Sequence, residues 1–391
     1  MIKQTESSRT KSRKILTIAF SLIMAFPVSG CVKTREPAQV LYVLSDRNIV
    51  VLNARTGKPI ATIRAGSDPQ LVISPDGKRL YLADAPESGP DKWRDRLRII
   101  ETQNYRTIAQ AKLPDLVGTK GGPIYIPLMS LSPDGKQLYV LKSHRDRRGR
   151  EDVYKTWVSI VNAKSLRETA RVDVEGWFPQ ILWADKRKLA LGLAADRLGE
   201  AGRKDTIVVD LSKHKVVGTL ARPESDPVWA RGAATTDGVT FYYIKDTNGG
   251  GAGWIDVVTA ASLTSPMVTR KIKLDLPRGW QASGDEAFSK DGSRLYVGIG
   301  KFTNTSRGLN DKVLVLDGQK PSLPPLGTIK PLDQFTGMAA SNTGRRLYLL
   351  NGYKMTLAIY DVVDVSKPRL EKTVKLKGLG QPSAVMPSLR P

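Results

Sequence analysis

Five aromatic residues, Tyr125, Trp177, Trp229, Trp280 and Phe335, stand just ahead of apolar runs at widely separated points of the 391-residue chain. Interleaved with them are Gln70, Gln180, Gln281 and Gln381, plus Arg231 and Asp285. Ring faces stack on the flat side of an organic or sugar-like molecule, and amides orient it by donating and accepting at once. Gathered around one mouth, these residues would form a ligand site; spread between strands, the rings would serve packing. Bond-making chemistry has thinner support. His144 and His214 are the only two histidines and lie far apart, which disfavours a shared metal or catalytic pair. Asp285 and Glu286, with Asp68 and Asp226 in preceding segments, fall short of the six or more oxygen ligands that a calcium-type shell needs. No G-x-S-x-G, H-E-x-x-H or phosphate-loop motif occurs, and GGG at 249–251 has no helix to follow it. The expectation is a site without an assigned catalytic residue, metal or cofactor.

The elements that would position such a site repeat along the chain. PQLVISPDGKRLYLAD at 69–84 reads as two antiparallel strands, A and B, joined by a tight Asp-Gly hairpin. It returns as IPLMSLSPDGKQLYVL at 126–141, as DEAFSKDGSRLYVGI at 285–299 and, more loosely, as TGMAASNTGRRLYLL at 336–350. After each B strand come a strand C of V-x-V-L-D type and a strand D. The B strands are expected at 41–45, 80–84, 138–142, 188–193, 239–244, 295–299 and 347–351. The C strands are expected at 48–53, 97–101, 157–162, 205–211, 253–259, 311–317 and 356–362. Cycles of four strands, roughly 40–58 residues apart, point to a propeller, because a lone four-stranded blade exposes two apolar faces that only neighbouring blades cover. The phase specifies closure: the chain starts at a B strand and ends on an A-like segment, QPSAVMPSL at 381–389. The fold class is therefore all-β, a seven-bladed β-propeller over residues 41–391 closed by pairing the C-terminal strand with the N-terminal blade.

The SPDGKRLYLAD and SPDGKQLYVL units, with ARTGK between the C and D strands and GSDP ahead of the next A strand, resemble the YVTN-type seven-bladed propeller repeat. The resemblance runs over nearly all of 41–391 and weakens at ADKRK (184–188) and TTDGV (235–239). Proteins similar to this repeat include surface-layer proteins, lactonase-like enzymes and amine-dehydrogenase heavy chains, so the fold implies no single function.

Residues 1–30 have the form of a signal peptide: a basic opening (Lys3, Arg9, Lys11, Arg13, Lys14) and an apolar run from Ile15 to Val28. The sequence Val28-Ser29-Gly30-Cys31 resembles the bacterial lipobox. Cys31 is the one cysteine in the chain and has no partner for an internal disulfide. The resemblance implies a diacylglyceryl thioether on Cys31, a linker over 31–40, and a protein exported and held on the cell envelope, at the outer membrane or the extracytoplasmic face of a membrane. Without residues 1–30 the chain keeps 56 basic against 37 acidic residues, a formal +19. Such a field favours acidic partners. Export directs the expectation to an acidic protein, an anionic glycan or lipid headgroups, and away from nucleic acid; a merely solvated basic surface is the bland alternative.

In a propeller the A–B and C–D turns share one face, and the B–C and D–A connections share the other, where the central funnel opens. Here the first face is built of short turns. The second carries the long segments 84–96, 112–126, 142–156, 193–204, 221–230, 245–253 and 300–311. Loop length beyond what a turn requires is where function tends to reside. KSHRDRRGREDVYK at 142–155 is read as a basic loop that clamps phosphate or carboxylate groups through guanidinium forks, or else as a solvated loop. Two functions follow: a binding platform working through this face, or a periplasmic enzyme or enzyme subunit of lactonase-like or amine-dehydrogenase heavy-chain type.

Overall fold

The computed structural model describes residues 39–389 except 46, 86–95, 113–123, 133, 149–150, 176, 185–189, 197–203, 211–212, 222–229, 235–239, 246–252, 260–266, 278, 290, 302–310, 321 and 377–381. Cys31, Trp229, Gln381, the TTDGV turn and most of the ADKRK turn thus lie outside the described residues.

Strands follow one another in antiparallel pairs. The first blade holds β1 (Gln39–Ser45), β2 (Asn48–Asn53) and β3 (Pro59–Arg64). The second is β4 (Ser67–Ile73), β5 (Arg79–Ala85), β6 (Arg96–Glu101) and β7 (Thr107–Lys112). The third is β8 (Ile124–Leu131), β9 (Gln137–Arg148), β10 (Glu151–Asn162) and β11 (Glu168–Glu175). Then come β12 (Trp177–Ala184), β13 (Ala190–Asp196), β14 (Lys204–Asp210) and β15 (Lys215–Ala221). The fifth has β16 (Ala230–Ala234), β17 (Thr240–Lys245), β18 (Gly253–Thr259) and β19 (Met267–Leu274). The sixth has β20 (Trp280–Phe288), β21 (Arg294–Lys301), β22 (Lys312–Asp317) and β23 (Pro325–Ile329). The seventh has β24 (Gly337–Ala340), β25 (Arg346–Asn351), β26 (Thr356–Asp361) and β27 (Arg369–Lys375). The last strand, β28 (Pro382–Leu389), returns to β1. Seven four-stranded sheets result, and each inner strand touches the next from β4 to β28, while β1 touches β4. The expected propeller, its phase and its closure are all present.

Burial along a blade explains the sequence pattern. The four central residues of β2, β6 and β22 are all buried, on both faces, because each sheet is covered on either side; hence the unbroken apolar runs. The outer strands β7 and β27 are mostly exposed and rich in Lys, Thr and Gln, which blunts an edge that would otherwise pair with another chain. The core lies between neighbouring blades. One cluster joins residues of β1, β2 and β28 to Leu71, Leu80 and Leu82, and another joins Tyr296 and Val315 to Met338, Leu347 and Tyr360. The repeated LY motif has a physical role: Tyr42, Tyr81, Tyr139, Tyr296 and Tyr348 are all buried. Two of their hydroxyls reach into the next blade, Tyr296 donating to the Gly344 carbonyl at 2.5 Å and Tyr348 to Gln39 Oε1 at 3.2 Å. Burial pushes the phenols of Tyr81, Tyr139 and Tyr296 above their ordinary value.

The A–B connection is longer than the tight two-residue hairpin that Asp-Gly suggested. In the second blade Ser74 N–H donates to the Arg79 carbonyl and Gly77 N–H to the Ser74 carbonyl, each at 2.9 Å, so four residues form the loop and only Gly77 is left-handed, at φ 71°. Ser74 Oγ makes the difference. It donates to Asp76 Oδ1 at 2.6 Å and accepts Arg79 N–H at 2.9 Å, closing the wider loop. The same bonds recur around Ser132 and Ser289. Burial opposes ionisation of Asp76, but the Ser74 hydroxyl, the Lys78 N–H and the Lys78 and Arg79 charges outweigh it and hold the carboxyl below its usual value. In the seventh blade the left-handed place is Gly344, at φ 63°, where a Cβ would stand 2.9 Å from Ser289 Cβ of the preceding blade. Gly344→Ala should therefore cost at least the roughly 1–2 kcal/mol of a left-handed alanine, read as a lower urea midpoint at unchanged slope.

Candidate functional site

The registers show which of the expected residues share a level around the funnel. Gln70 pairs with Ala83, Gln180 with Ala194 and Arg231 with Ile244, and those three partners occupy the same place in their B strands. Gln70, Gln180 and Arg231 therefore form one layer of the inner strands. One layer further toward the loop-bearing face, Tyr125 pairs with Ser143, Trp177 with Asp196 and Gln281 with Gly300, again at equivalent places. Register shifts at Ser67/Gln70, Tyr125/Leu128, Trp177/Gln180 and Ala282/Glu286 separate the upper from the lower half of four inner strands. Such bulges re-aim the residues beside them. In β20 the shift takes up Ser283, Gly284 and Asp285, leaving Asp285 and Glu286 buried.

Trp280 begins β20 opposite Lys301 and is half-buried against the core cluster that includes Leu276, Ala282 and Ile299. Lys312 Nζ lies 4.1 Å from the ring centroid and Lys301 Nζ 5.9 Å, both within cation–π reach. The Trp280 ring thus has two ammonium groups over it. Next to it, Asp311 Oδ1 accepts Gln334 Nε2 at 2.7 Å and Asp311 Oδ2 accepts Lys301 N–H at 3.3 Å. Asn351 Nδ2 donates to the Gln334 carbonyl at 2.7 Å, and Lys354 pairs with Asp333. These bonds order the rim between the sixth and seventh blades.

Phe335 does not join the mouth. It is 1% exposed within the cluster between the sixth and seventh blades, the packing role open to all five aromatics. The segment 142–155 also differs from expectation: 142–148 and 151–155 are strand, extending β9 and β10 to 12 residues each. The ladder runs on through Ser143↔Thr156 and Arg145↔Tyr154 to Arg147↔Asp152 and Arg148↔Glu151. The last two pairs bring residues of opposite charge into register. Composition alone reads as loop there. His214 sits in the turn between β14 and β15, on the face away from the funnel and exposed. Among the described residues, no group of three or more His, Cys, Asp or Glu is placed to hold a metal ion.

One buried constellation had no counterpart in the sequence reading. Asp84, at the end of β5, receives Gly66 N–H at 2.7 Å, Arg96 Nε and Nη2 at 2.9 Å each and Arg98 Nη2 at 2.5 Å. Arg98 Nη2 also donates to the Arg64 carbonyl of the first blade at 2.9 Å. Burial pushes the Arg98 guanidinium below its ordinary value while Asp84 pulls it back, and the bond to Asp84 raises that of Arg96. Aligning the B strands would have revealed the place: Ser45, Asp84, Lys142 and Asn351 are equivalent, polar and buried.

No family model matches the chain. A seven-bladed β-propeller protein of Mycobacterium tuberculosis is 41% identical over 75 residues, which is 19% of this chain and 17% of that protein's length. Among solved structures, hydrazine synthase of Kuenenia stuttgartiensis superposes with a TM-score of 0.61 at 14% identity, covering 86% of this chain and 99% of that one. The periplasmic gluconolactonase of Pseudomonas aeruginosa does so with a TM-score of 0.59 at 15% identity, covering 90% and 99%. At such identities the likeness is one of architecture, and together with the seven sheets and their closure it makes this chain a seven-bladed β-propeller.

Proposed function

We propose that the protein is a lipid-anchored extracytoplasmic propeller that binds an acidic partner, protein or anionic glycan, through its loop-bearing face. The observation that carries this reading is the β9–β10 arm. The ladder passes Lys142, the level at which other B strands end or nearly end, and continues for six residues, about 20 Å of strand, bearing Arg145, Arg147 and Arg148. A paired arm costs less entropy to hold against a partner than a free loop. It also borders the funnel, since β8 pairs with it at Ile124↔His144. Trp280 with Lys301 and Lys312 supplies a second cationic contact across the mouth.

The test is capture from the source envelope, alongside direct binding of polyglutamate and polygalacturonate. Arg145→Glu, Arg147→Glu and Arg148→Glu together should keep the melting temperature and weaken binding by at least about tenfold, since reversed charges repel as well as fail to attract. Unchanged binding would end the proposal. An enzyme of lactonase type is the second reading, favoured by the likeness to a periplasmic gluconolactonase and by the acids at the bulge of an inner strand, Asp285 and Glu286. Lactone turnover lost on Asp285→Asn would establish it in place of the platform.

A further inference from the structure

We infer that the A–B and C–D turns lie against an anionic lipid bilayer, with the funnel directed away from the membrane; this rests on the anchor at Cys31 proposed above. The chain enters the fold on the turn-bearing face. Gln39 starts β1 at the turn end of the blade: its carbonyl accepts Ala54 N–H at 3.0 Å from the first C–D turn, and its side chain accepts the Tyr348 hydroxyl. Seven residues separate Cys31 from Gln39. Fully extended, that segment spans at most about 30 Å. A lipid on Cys31 therefore brings this face, and not the loop-bearing one, toward the headgroups.

The charge of this face complements an anionic bilayer. Exposed Arg55, Lys58, Lys78, Arg106, Lys164 and Arg345 all stand in these turns, in four blades. Acids on the same face are engaged locally: Asp76 by Ser74 and Lys78 N–H, Asp361 by Arg369, and Glu371 by Arg346. A basic face at the end of a short lipid tether adds electrostatic attraction to the insertion of the acyl chains, and the combination fixes orientation as well as attachment.

The experiment uses the mature lipidated protein in vesicles of phosphatidylethanolamine and phosphatidylglycerol. A fluorophore is placed on a single introduced cysteine, Lys78→Cys or Lys164→Cys on the turn face, or Tyr353→Cys on the opposite face, and quenched by a nickel-chelating lipid. Strong quenching at 78 and 164 with little at 353 is expected. Replacing Arg55, Lys78 and Arg345 with Glu should reduce it on anionic vesicles, each lost cation weakening the attraction roughly fivefold, and leave phosphatidylcholine vesicles unaffected. Equal quenching at all three positions on a protein whose mass includes the diacylglyceryl group would overturn the orientation alone. A mass showing unmodified Cys31 would overturn the anchor, and the orientation with it.

Discussion

Asp84→Ala should lower the folding free energy by about 3–5 kcal/mol, the usual cost of removing one partner from a buried ion pair. The Asp84 side chain is wholly buried and that of Arg98 is 10% exposed, so the guanidinium left behind cannot recover its hydration. The same change orphans Gly66 N–H and leaves the Arg96 and Arg98 cations adjacent, with Arg98 Nε already lacking a partner. Exposed pairs behave differently. Arg369 with Asp361 lies at the surface, where such a pair contributes at most about 1 kcal/mol. Urea titration followed by tryptophan fluorescence separates the two: Asp84→Ala should shift the midpoint several times further than Asp361→Ala. A loss below about 1 kcal/mol for Asp84→Ala would mean that water reaches the cluster. Adding Arg98→Leu to Asp84→Ala should restore part of the loss, because the uncompensated charge departs with it.

Ending the chain at residue 380 should leave no cooperative native state. β28 pairs with β1 from Gln39↔Leu389 to Ser45↔Pro382, and its Ala384, Val385 and Met386 are buried in the clusters on either side of the first blade. Burial of Val and Met side chains contributes about 1.5–3 kcal/mol each. Ladder hydrogen bonds add about 0.5–1.5 kcal/mol apiece. Their sum reaches the whole stability of an ordinary domain, about 5–15 kcal/mol. Calorimetry should show the main transition abolished, and adding residues 381–391 as a separate peptide should restore part of it. A truncated chain that melts like the parent would refute closure by this strand.

Much of the fold was written in the repeat. Alternate spacing, Ser-x-Asp-Gly turns and LY pairs are local signals, and they placed the expected B and C strands close to those observed. The candidate site was legible only in part. Gln70, Gln180 and Arg231 do fall at one level, because repeat position determines register. Phe335 was indistinguishable from Trp280 in sequence, since both precede an inner strand; which one packs inward depends on the neighbouring blade. The β9–β10 arm was hidden for a related reason. Its strands are held by pairing across a hairpin, and residues 143–155, where Val153 is the one aliphatic side chain, carry no apolar alternation to announce it. The Asp84 cluster has no local signature, because its partners come from two other segments, Arg96 and Arg98 from β6 and Gly66 from the connection between β3 and β4.

The bond between the two chain ends also dictates the order of events at birth. β1 is QVLYVLS, buried along its whole length in the finished protein, and the strand that covers its inner edge, β28, follows every other blade in the sequence. Until then the chain holds an apolar strand with an open edge, the form most prone to pair with a neighbour. The contact between residues 39 and 389 joins positions far apart in the sequence, and such contacts slow folding. The opening strand must therefore be kept apart from other chains until β28 has been made. The ring locks only when β28 arrives.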